Sequence, residues 1–137
     1  MFVLDASLTL AWVFDEEETK RSREVLRQVL EHVVIVPSIW PLEVANAVLI
    51  GTRSGRFTDD EALLFAESLA GLDVEVDEQA HRIAFVDLIP LAREHGLTSY
   101  DAAYLELALR TGAPLATLDA GLARAARASG VELLLQD

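Results

Sequence analysis

Cysteine is absent from this chain of 137 residues. Its absence excludes disulfides, thiolate metal sites and a cysteine nucleophile. Long apolar runs are also missing, because no stretch approaches the roughly 18 apolar residues that a membrane-spanning helix needs. The first residues, Met1 to Asp5, lack the basic segment and apolar segment of a secretory signal. We therefore expect a cytoplasmic protein with no membrane partner.

Basic residues are scarce. The chain has 11 Lys and Arg against 23 Asp and Glu, which gives a net charge of −12, and Lys20 is its only lysine. This balance argues against a protein that coats nucleic acid by bulk electrostatics, because phosphate binding depends on clustered cations. Any contact with nucleic acid must be local, or a basic partner must be expected.

Apolar residues make up 52% of the chain, enough for the core of one domain spanning residues 1–137. Short apolar runs alternate with segments of helical periodicity, which predicts an α/β fold with a mostly parallel sheet and helices on both faces. The predicted strands are Phe2–Asp5, Val34–Pro37, Asp73–Asp77, Pro114–Leu118 and Val131–Leu135. The predicted helices are Ala6–Phe14, Glu16–Val33, Pro41 towards Gly51–Gly55, Thr58–Leu72, Glu78–His95 with a kink or break at Pro90, Thr98–Gly112 and Ala120–Ser129.

Four acidic residues stand where strands end or helices begin. Asp5 and Asp119 each end a predicted strand, whereas Glu43 and Asp101 lie in the first turns of helices. In a parallel crossover fold these positions share the carboxyl edge of the sheet, where ligand sites form. Each acid also has a structural explanation, because Asp5 and Asp119 could cap helices, Glu43 suits a helix dipole and Asp101 could close a capping box.

Repulsion gives this set of acids a chemical meaning. Two carboxylates ~4 Å apart repel by about 1 kcal/mol in water and by about 4 kcal/mol at an effective dielectric constant of 20. Converging carboxylates therefore take up protons or bind a cation. Oxygen ligands without His or Cys favour Mg²⁺ or Mn²⁺, and such a site suits phosphoryl chemistry.

Four motifs in this order and spacing resemble the PIN-domain family, and most closely its VapC-type toxin ribonucleases. They cover essentially the whole chain: Val3-Leu-Asp-Ala-Ser7, Pro41-Leu-Glu-Val-Ala-Asn46, Leu97-Thr-Ser-Tyr-Asp-Ala-Ala-Tyr-Leu105 and Leu115-Ala-Thr-Leu-Asp119. The resemblance implies a three-layer α/β/α fold with a five-stranded parallel sheet in the order 3-2-1-4-5. It also implies an endoribonuclease with one or two Mg²⁺ or Mn²⁺ ions, 5′-phosphate and 3′-hydroxyl products, a homodimer and a cognate antitoxin.

The resemblance also assigns roles to single residues. Asp5, Glu43 and Asp101 carry over as the metal carboxylates, and Asp119 carries over as a second-metal or water-mediated ligand. Polar side chains that orient these acids correspond to Ser7, Asn46 and Thr117.

Several other residues have two interpretations. Arg124 and Arg127 follow Asp119 on a helix, where they could meet phosphate or form solvated surface charge. Tyr100 could stack on a base or pack at the carboxyl edge of the sheet, called the rim below. The apolar helices around Val44–Ile50 and Leu63–Leu69 indicate a dimer interface or an antitoxin groove.

Three alternative functions fit the acidic rim less well. A haloacid-dehalogenase-type phosphatase needs a second Asp where this chain has Ser7. A phospho-receiver domain needs an adjacent acidic pair after the first strand and a lysine at the end of a late strand. A catalytically silent PIN-like scaffold needs no chemistry, yet all four acids are present.

Overall fold

The computed structural model describes residues 1–13 and 20–134 and contains a parallel sheet flanked by helices. The strands are β1 (Phe2–Leu4), β2 (Val34–Pro37), β3 (Val74–Asp77) and β4 (Leu115–Ala116). They lie in the order β3-β2-β1-β4 and all pair in parallel. The α/β class and the order of these four strands are confirmed.

Helices connect the strands. They are α1 (Ala6–Val13), α2 (Lys20–Glu31), α3 (Trp40–Arg53), α4 (Asp59–Ala70), α5 (Ala80–Ile83), α6 (Ile89–His95), α7 (Ser99–Thr111) and α8 (Ala120–Ala128). Thr58 and Glu61 form the predicted capping box before α4, with both reciprocal hydrogen bonds present. Within the described ranges, no helix is long and apolar enough to cross a membrane.

The predicted fifth strand is reduced to a single bridge. Leu133 pairs in parallel with Leu115, so the chain does return to the expected edge beside β4. Among the described residues, two backbone hydrogen bonds hold it there, from Leu115 N to Glu132 O and from Leu134 N to Leu115 O, each 2.9 Å long. Because β4 spans only two residues, it offers little backbone for a longer ladder. Leu135, the predicted end of that strand, lies outside the described residues.

The predicted helix from Glu78 to His95 is interrupted. A π-helical turn at Ala84–Leu88 separates α5 from α6, and Pro90 lies in the first turn of α6. Proline lacks the N–H that a continuous α-helix requires in its interior, so the wider turn before it absorbs the missing hydrogen bond. The break expected at Pro90 thus begins six residues earlier. The predicted helix residues Phe14 and Glu16–Thr19 lie outside the described part of the chain.

The central strand β1 is buried along its whole length. Val3 pairs with Ile35 of β2 on one side and with Leu115 of β4 on the other, and α7 packs against the sheet. A strand flanked on both edges and covered by helices must be apolar throughout, which Phe2–Leu4 satisfies. The next residue, Asp5, therefore lies at the carboxyl edge of the sheet, at the end of its buried central strand.

Gly51 gives a test of the packing that holds α3. A Cβ on this buried helical residue would collide with the ring of Phe57. We expect Gly51→Ala to lower the free energy of unfolding by about 1–3 kcal/mol, the usual cost of overpacking, although alanine by itself favours a helix. Urea denaturation measures the change. Gly71→Ala, whose Cβ would meet only ordinary contacts at 3.6 Å, is the matched control; equal stability of the two variants would contradict the collision.

Candidate functional site

Asp5 is buried, with 4% of its surface exposed, at the end of β1. Its Oδ2 atom accepts hydrogen bonds from the hydroxyl of Ser7 at 2.8 Å and from the hydroxyl of Thr117 at 2.6 Å. Ser7 Oγ also accepts a hydrogen bond from Leu118 N–H at 3.0 Å. Two hydroxyls from different segments thus fix the orientation of the Asp5 carboxylate, leaving Oδ1 outside these bonds.

Glu43 reaches the same edge from the first turn of α3. Pro41, at the start of that helix, has the backbone angle that a first turn requires. The carboxylate is half-buried, and its Oε1 atom accepts a hydrogen bond of 2.6 Å from the phenol of Tyr104 on α7. A residue of α7, some 60 positions later in the chain, therefore holds the Glu43 carboxylate.

Asp101 and Asp119 stand at the N-termini of α7 and α8. The Asp101 N–H donates to the hydroxyl of Thr98, the N-cap of α7. Asp119 itself caps α8, because its Oδ1 atom accepts from Leu122 N–H at 2.8 Å. The capping explanation thus holds for Asp119, whose second oxygen lies outside that bond.

Burial and the charges of neighbouring acids raise the pKa of three of these carboxyls. Burial raises the pKa of Asp5, and the charges of Asp101 and Asp119 raise it further against the opposing hydroxyls of Thr117 and Ser7. Burial likewise raises the pKa of Glu43, with added repulsion from Asp5 and Asp101. The pKa of Asp101 is raised by burial and then by Asp119. The structure therefore brings all four acids into one electrostatic cluster.

Asp77 shows the contrasting case of an acid at a strand end that has a cation of its own. Both its oxygens accept from the guanidinium of Arg110, at 2.7 and 3.1 Å. These hydrogen bonds lower the pKa of Asp77. Burial raises the pKa of Asp5, Glu43 and Asp101 instead, and the charges of neighbouring acids raise it further.

The remaining predicted residues divide by position. Ser7 and Thr117 contact Asp5 directly, as described above. Asn46 is exposed on α3 and lines a shallow groove of about 310 Å³ with Ile39, Leu42, Glu43 and Tyr100. Tyr100 is 58% exposed, which leaves its ring open to solvent beside Glu43.

The two arginines of α8 lie at different distances from the rim. A Cβ added to Gly121 would lie 3.3 Å from Asp119 Oδ1 and 3.6 Å from Arg124 Nη2, so both charged groups flank the first turn of the helix. Arg127 is in the last turn, about 12 Å further along the axis than Asp119 at 1.5 Å per residue. Of these two arginines, only Arg124 lies near an acid of the rim, Asp119.

Tyr104 belongs to the site but was not predicted as a site residue. It is fully buried and hydrogen-bonds Glu43. The signal was its spacing, because residues three apart share a helix face, and Tyr104 follows Asp101 by three. A tyrosine inside an apolar helix is, by sequence alone, typical of a core residue.

The donor set suits a hard divalent cation, although the carboxylates do not form a closed cage. Among residues 1–13 and 20–134, no three His, Asp or Glu side chains lie close enough together to constitute a metal-binding cluster. The available donors are oxygens only, and their mutual repulsion would be relieved by a shared cation. The chemistry of Asp5, Glu43 and Asp101 therefore fits Mg²⁺ or Mn²⁺, with Asp119 as a further donor.

The sequence profile of the PIN-domain family matches residues 2–128. The chain belongs to the PIN-domain family. The PIN domain is also 34% identical over 121 residues to a protein named ribonuclease VapC3 from Pyrobaculum aerophilum, an alignment that covers 88% of this chain and 91% of that protein. The resemblance to VapC-type members that the four motifs predicted is thereby confirmed.

Two solved structures share the fold of this PIN domain. PAE2754 from Pyrobaculum aerophilum superposes with a TM-score of 0.64 at 22% identity, covering 90% of this chain and 83% of that one. FitAcB from Neisseria gonorrhoeae also has a TM-score of 0.64, at 18% identity, covering 98% and 97% of the two chains. At these identities the likeness supports the fold alone.

Burial of Asp101 and repulsion from Asp119 predict that removing the Asp101 charge stabilises the metal-free protein. Because the folded pKa of Asp101 lies above its ordinary value of 3.8, ionisation costs stability as the pH rises from that value through the folded pKa. At neutral pH we expect Asp101→Asn to raise the free energy of unfolding by about 1 kcal/mol, allowing for solvent screening of a half-exposed group. Below pH 3.8 the gain should vanish.

Urea denaturation in EDTA at several pH values measures this effect. Asp73→Asn removes an exposed charge before β3, away from the rim, and is the matched control. A gain in stability for Asp73→Asn as large as that for Asp101→Asn would show that only net charge matters.

Proposed function

We propose that this PIN domain, as one unit spanning residues 1–137, is a divalent-metal-dependent endoribonuclease of the VapC toxin type. The observation that carries the proposal is the acidic cluster, in which burial and mutual repulsion raise the pKa of Asp5, Glu43 and Asp101. The 34% identity to ribonuclease VapC3 supports RNA as the substrate. A cytoplasmic location remains part of the same proposal.

Asp5, Glu43 and Asp101 would hold Mg²⁺, or Mn²⁺ in its place, and Asp119 would contribute to a second ion or through water. Such an ion supplies a Lewis acid that activates water and offsets charge on the scissile phosphate. Hydrolysis that breaks the bond between phosphorus and the 3′ oxygen leaves 5′-phosphate and 3′-hydroxyl ends. The number of ions bound at once is one or two.

The chain's own residues contribute orientation and local charge. Ser7 and Thr117 keep the Asp5 carboxylate in one orientation, so less reorganisation is needed when substrate arrives. Arg124, which lies near Asp119, would contact a phosphate at the edge of the acidic cluster. Asn46 and Tyr100 line the groove next to Glu43, where an unpaired base has room.

We also propose a homodimer and an antitoxin partner. An apolar groove of about 470 Å³ runs between α3 and α4, and an amphipathic segment of an antitoxin would fit there. It is lined by Trp40, Pro41, Val44, Ala45, Val48, Leu49, Ala66, Leu69 and Ala70. A separate exposed apolar group, Phe85, Val86 and Ile89, lies on the π-helical turn and the start of α6 and would suit a second copy of the chain.

The homodimer is tested by light scattering on the purified chain. We expect a mass close to twice 15.0 kDa at micromolar concentration. Phe85→Glu, which places a charge on a side chain that is 80% exposed, should convert the dimer to a monomer without loss of helicity. The matched control is Leu30→Glu on α2, a side chain at 73% exposure outside both proposed interfaces, which should leave the dimer intact. A wild-type chain that remains monomeric would contradict the dimer.

The nuclease is tested with a mixed RNA pool in Mg²⁺ or Mn²⁺ and the chain freed of copurifying protein. We expect cleavage that leaves 5′-phosphate ends, stops in EDTA and falls at least about 100-fold in Asp5→Asn, as when a single electrostatic contact to the transition state is lost. End-labelling and phosphatase sensitivity identify the ends.

Asp73→Asn should cleave RNA as wild type does, because its carboxylate lies away from the rim. Equal degradation by wild type and Asp5→Asn would identify a contaminant. If wild type bound metal yet cut no RNA, including structured tRNA and rRNA loops, the catalytically silent scaffold would replace the nuclease.

A further inference from the structure

The hydroxyl of Tyr104 contacts two segments besides its own helix. It donates a hydrogen bond of 2.6 Å to Glu43 Oε1 on α3. The backbone of Ala6, the residue after Asp5, also lies against this hydroxyl. Tyr104 itself lies one helical turn after Asp101 on α7. One phenol oxygen thus joins the three segments that carry Asp5, Glu43 and Asp101.

The ring of Tyr104 and its hydroxyl have separable roles. The ring is fully buried in the core cluster with Leu4 and Leu105, where phenylalanine would fill nearly the same volume. Packing therefore does not require the hydroxyl. A hydroxyl buried without partners would cost free energy, so its presence is explained by the bonds it makes. In the described part of the chain, no buried side-chain nitrogen or oxygen lacks a partner.

Glu43 needs such a contact more than Asp5 and Asp119 do. Asp5 is oriented by two hydroxyls and Asp119 by the helix that it caps, whereas Glu43 has a longer side chain with three rotatable bonds. The hydrogen bond from Tyr104 uses one lone pair of Oε1 and leaves Oε2 available to another ligand. Because Tyr104 and Asp101 share a face of α7, the same helix sets the positions of both acids.

We infer that Tyr104 is a positioning residue that holds the Glu43 carboxylate in place for a divalent cation shared with Asp5 and Asp101. This inference rests on the proposed metal site and adds to it a residue outside the ligand set. Hydrogen-bond partners of ligands typically contribute 10–100-fold to metal affinity.

Calorimetric titration with Mn²⁺ alone tests the inference. We expect Tyr104→Phe to weaken Mn²⁺ binding by about 10–100-fold. Glu43→Gln should also weaken it, and Tyr104→Phe should then add no further loss, because the hydroxyl acts through the Glu43 carboxylate. Wild-type affinity in Tyr104→Phe, or an equal loss in the Glu43→Gln background, would overturn the role of Tyr104.

Thr111→Val is the matched control for losing a side-chain hydrogen bond on the same helix. Thr111 donates a bond of 2.7 Å to the carbonyl of Leu107 in the last turn of α7, at the opposite end of the helix from Asp101. Thr111→Val removes that bond and should leave Mn²⁺ affinity unchanged. If Thr111→Val weakened Mn²⁺ binding as much as Tyr104→Phe did, the effect would be general loosening and the inference would fail.

A urea cycle in EDTA with wild type, both single variants and the double variant separates this inference from the proposed function. Coupling between Tyr104 and Glu43 should make the double variant's change in urea midpoint differ from the sum of the two single changes. Additive changes would overturn the contact whatever the metal result. A wild-type chain that binds no Mn²⁺ would instead overturn the proposed metal site, and the cycle would still report whether Tyr104 holds Glu43.

Discussion

The burial of Asp5 at the end of the central strand is the constraint on which the rest of the rim depends. An ionised carboxylate in that position is costly unless hydrogen bonds or a cation compensate it. Ser7 and Thr117 supply the hydrogen bonds, and their backbone positions follow from the pairing of β1 with β4. The other acids add repulsion rather than relief. Under the proposed function, a bound divalent cation would supply the remaining compensation.

The acidity of the chain and its proposed action on RNA are compatible when charge is considered locally. A net charge of −12 weakens long-range attraction to phosphate, and Lys20 is the only lysine. Much of the negative charge at the rim would be offset by a bound divalent ion, while Arg124 supplies a cation beside Asp119. Affinity from Tyr100 and its groove would depend on stacking, which salt screens little. The proposed nuclease would therefore gain little from non-specific RNA binding and more from contacts with one particular loop.

Features of local structure could be predicted from the sequence wherever residues close together in the chain determine them. The Thr58–Glu61 capping box, the four strand positions and the break near Pro90 all follow from short-range rules. Leu133 shows where those rules fail, because the length of a strand at the sheet edge depends on how much of β4 is available to pair. Tyr104 shows the same failure for the site. Its hydroxyl meets Glu43 and Ala6, and spacing along α7 alone could not indicate either contact.

The sequence by itself determined the alternation of strands and helices, the four motifs of the PIN-domain family and the placement of acids where strands end or helices begin. These features depend on periodicity and on residue types a few positions apart. The tertiary structure alone decided which acid is buried, which one caps a helix and which hydroxyl orients which carboxylate. The reason is physical: burial, repulsion and hydrogen bonding act through space, and groups that meet at this rim come from segments 61 and 112 residues apart.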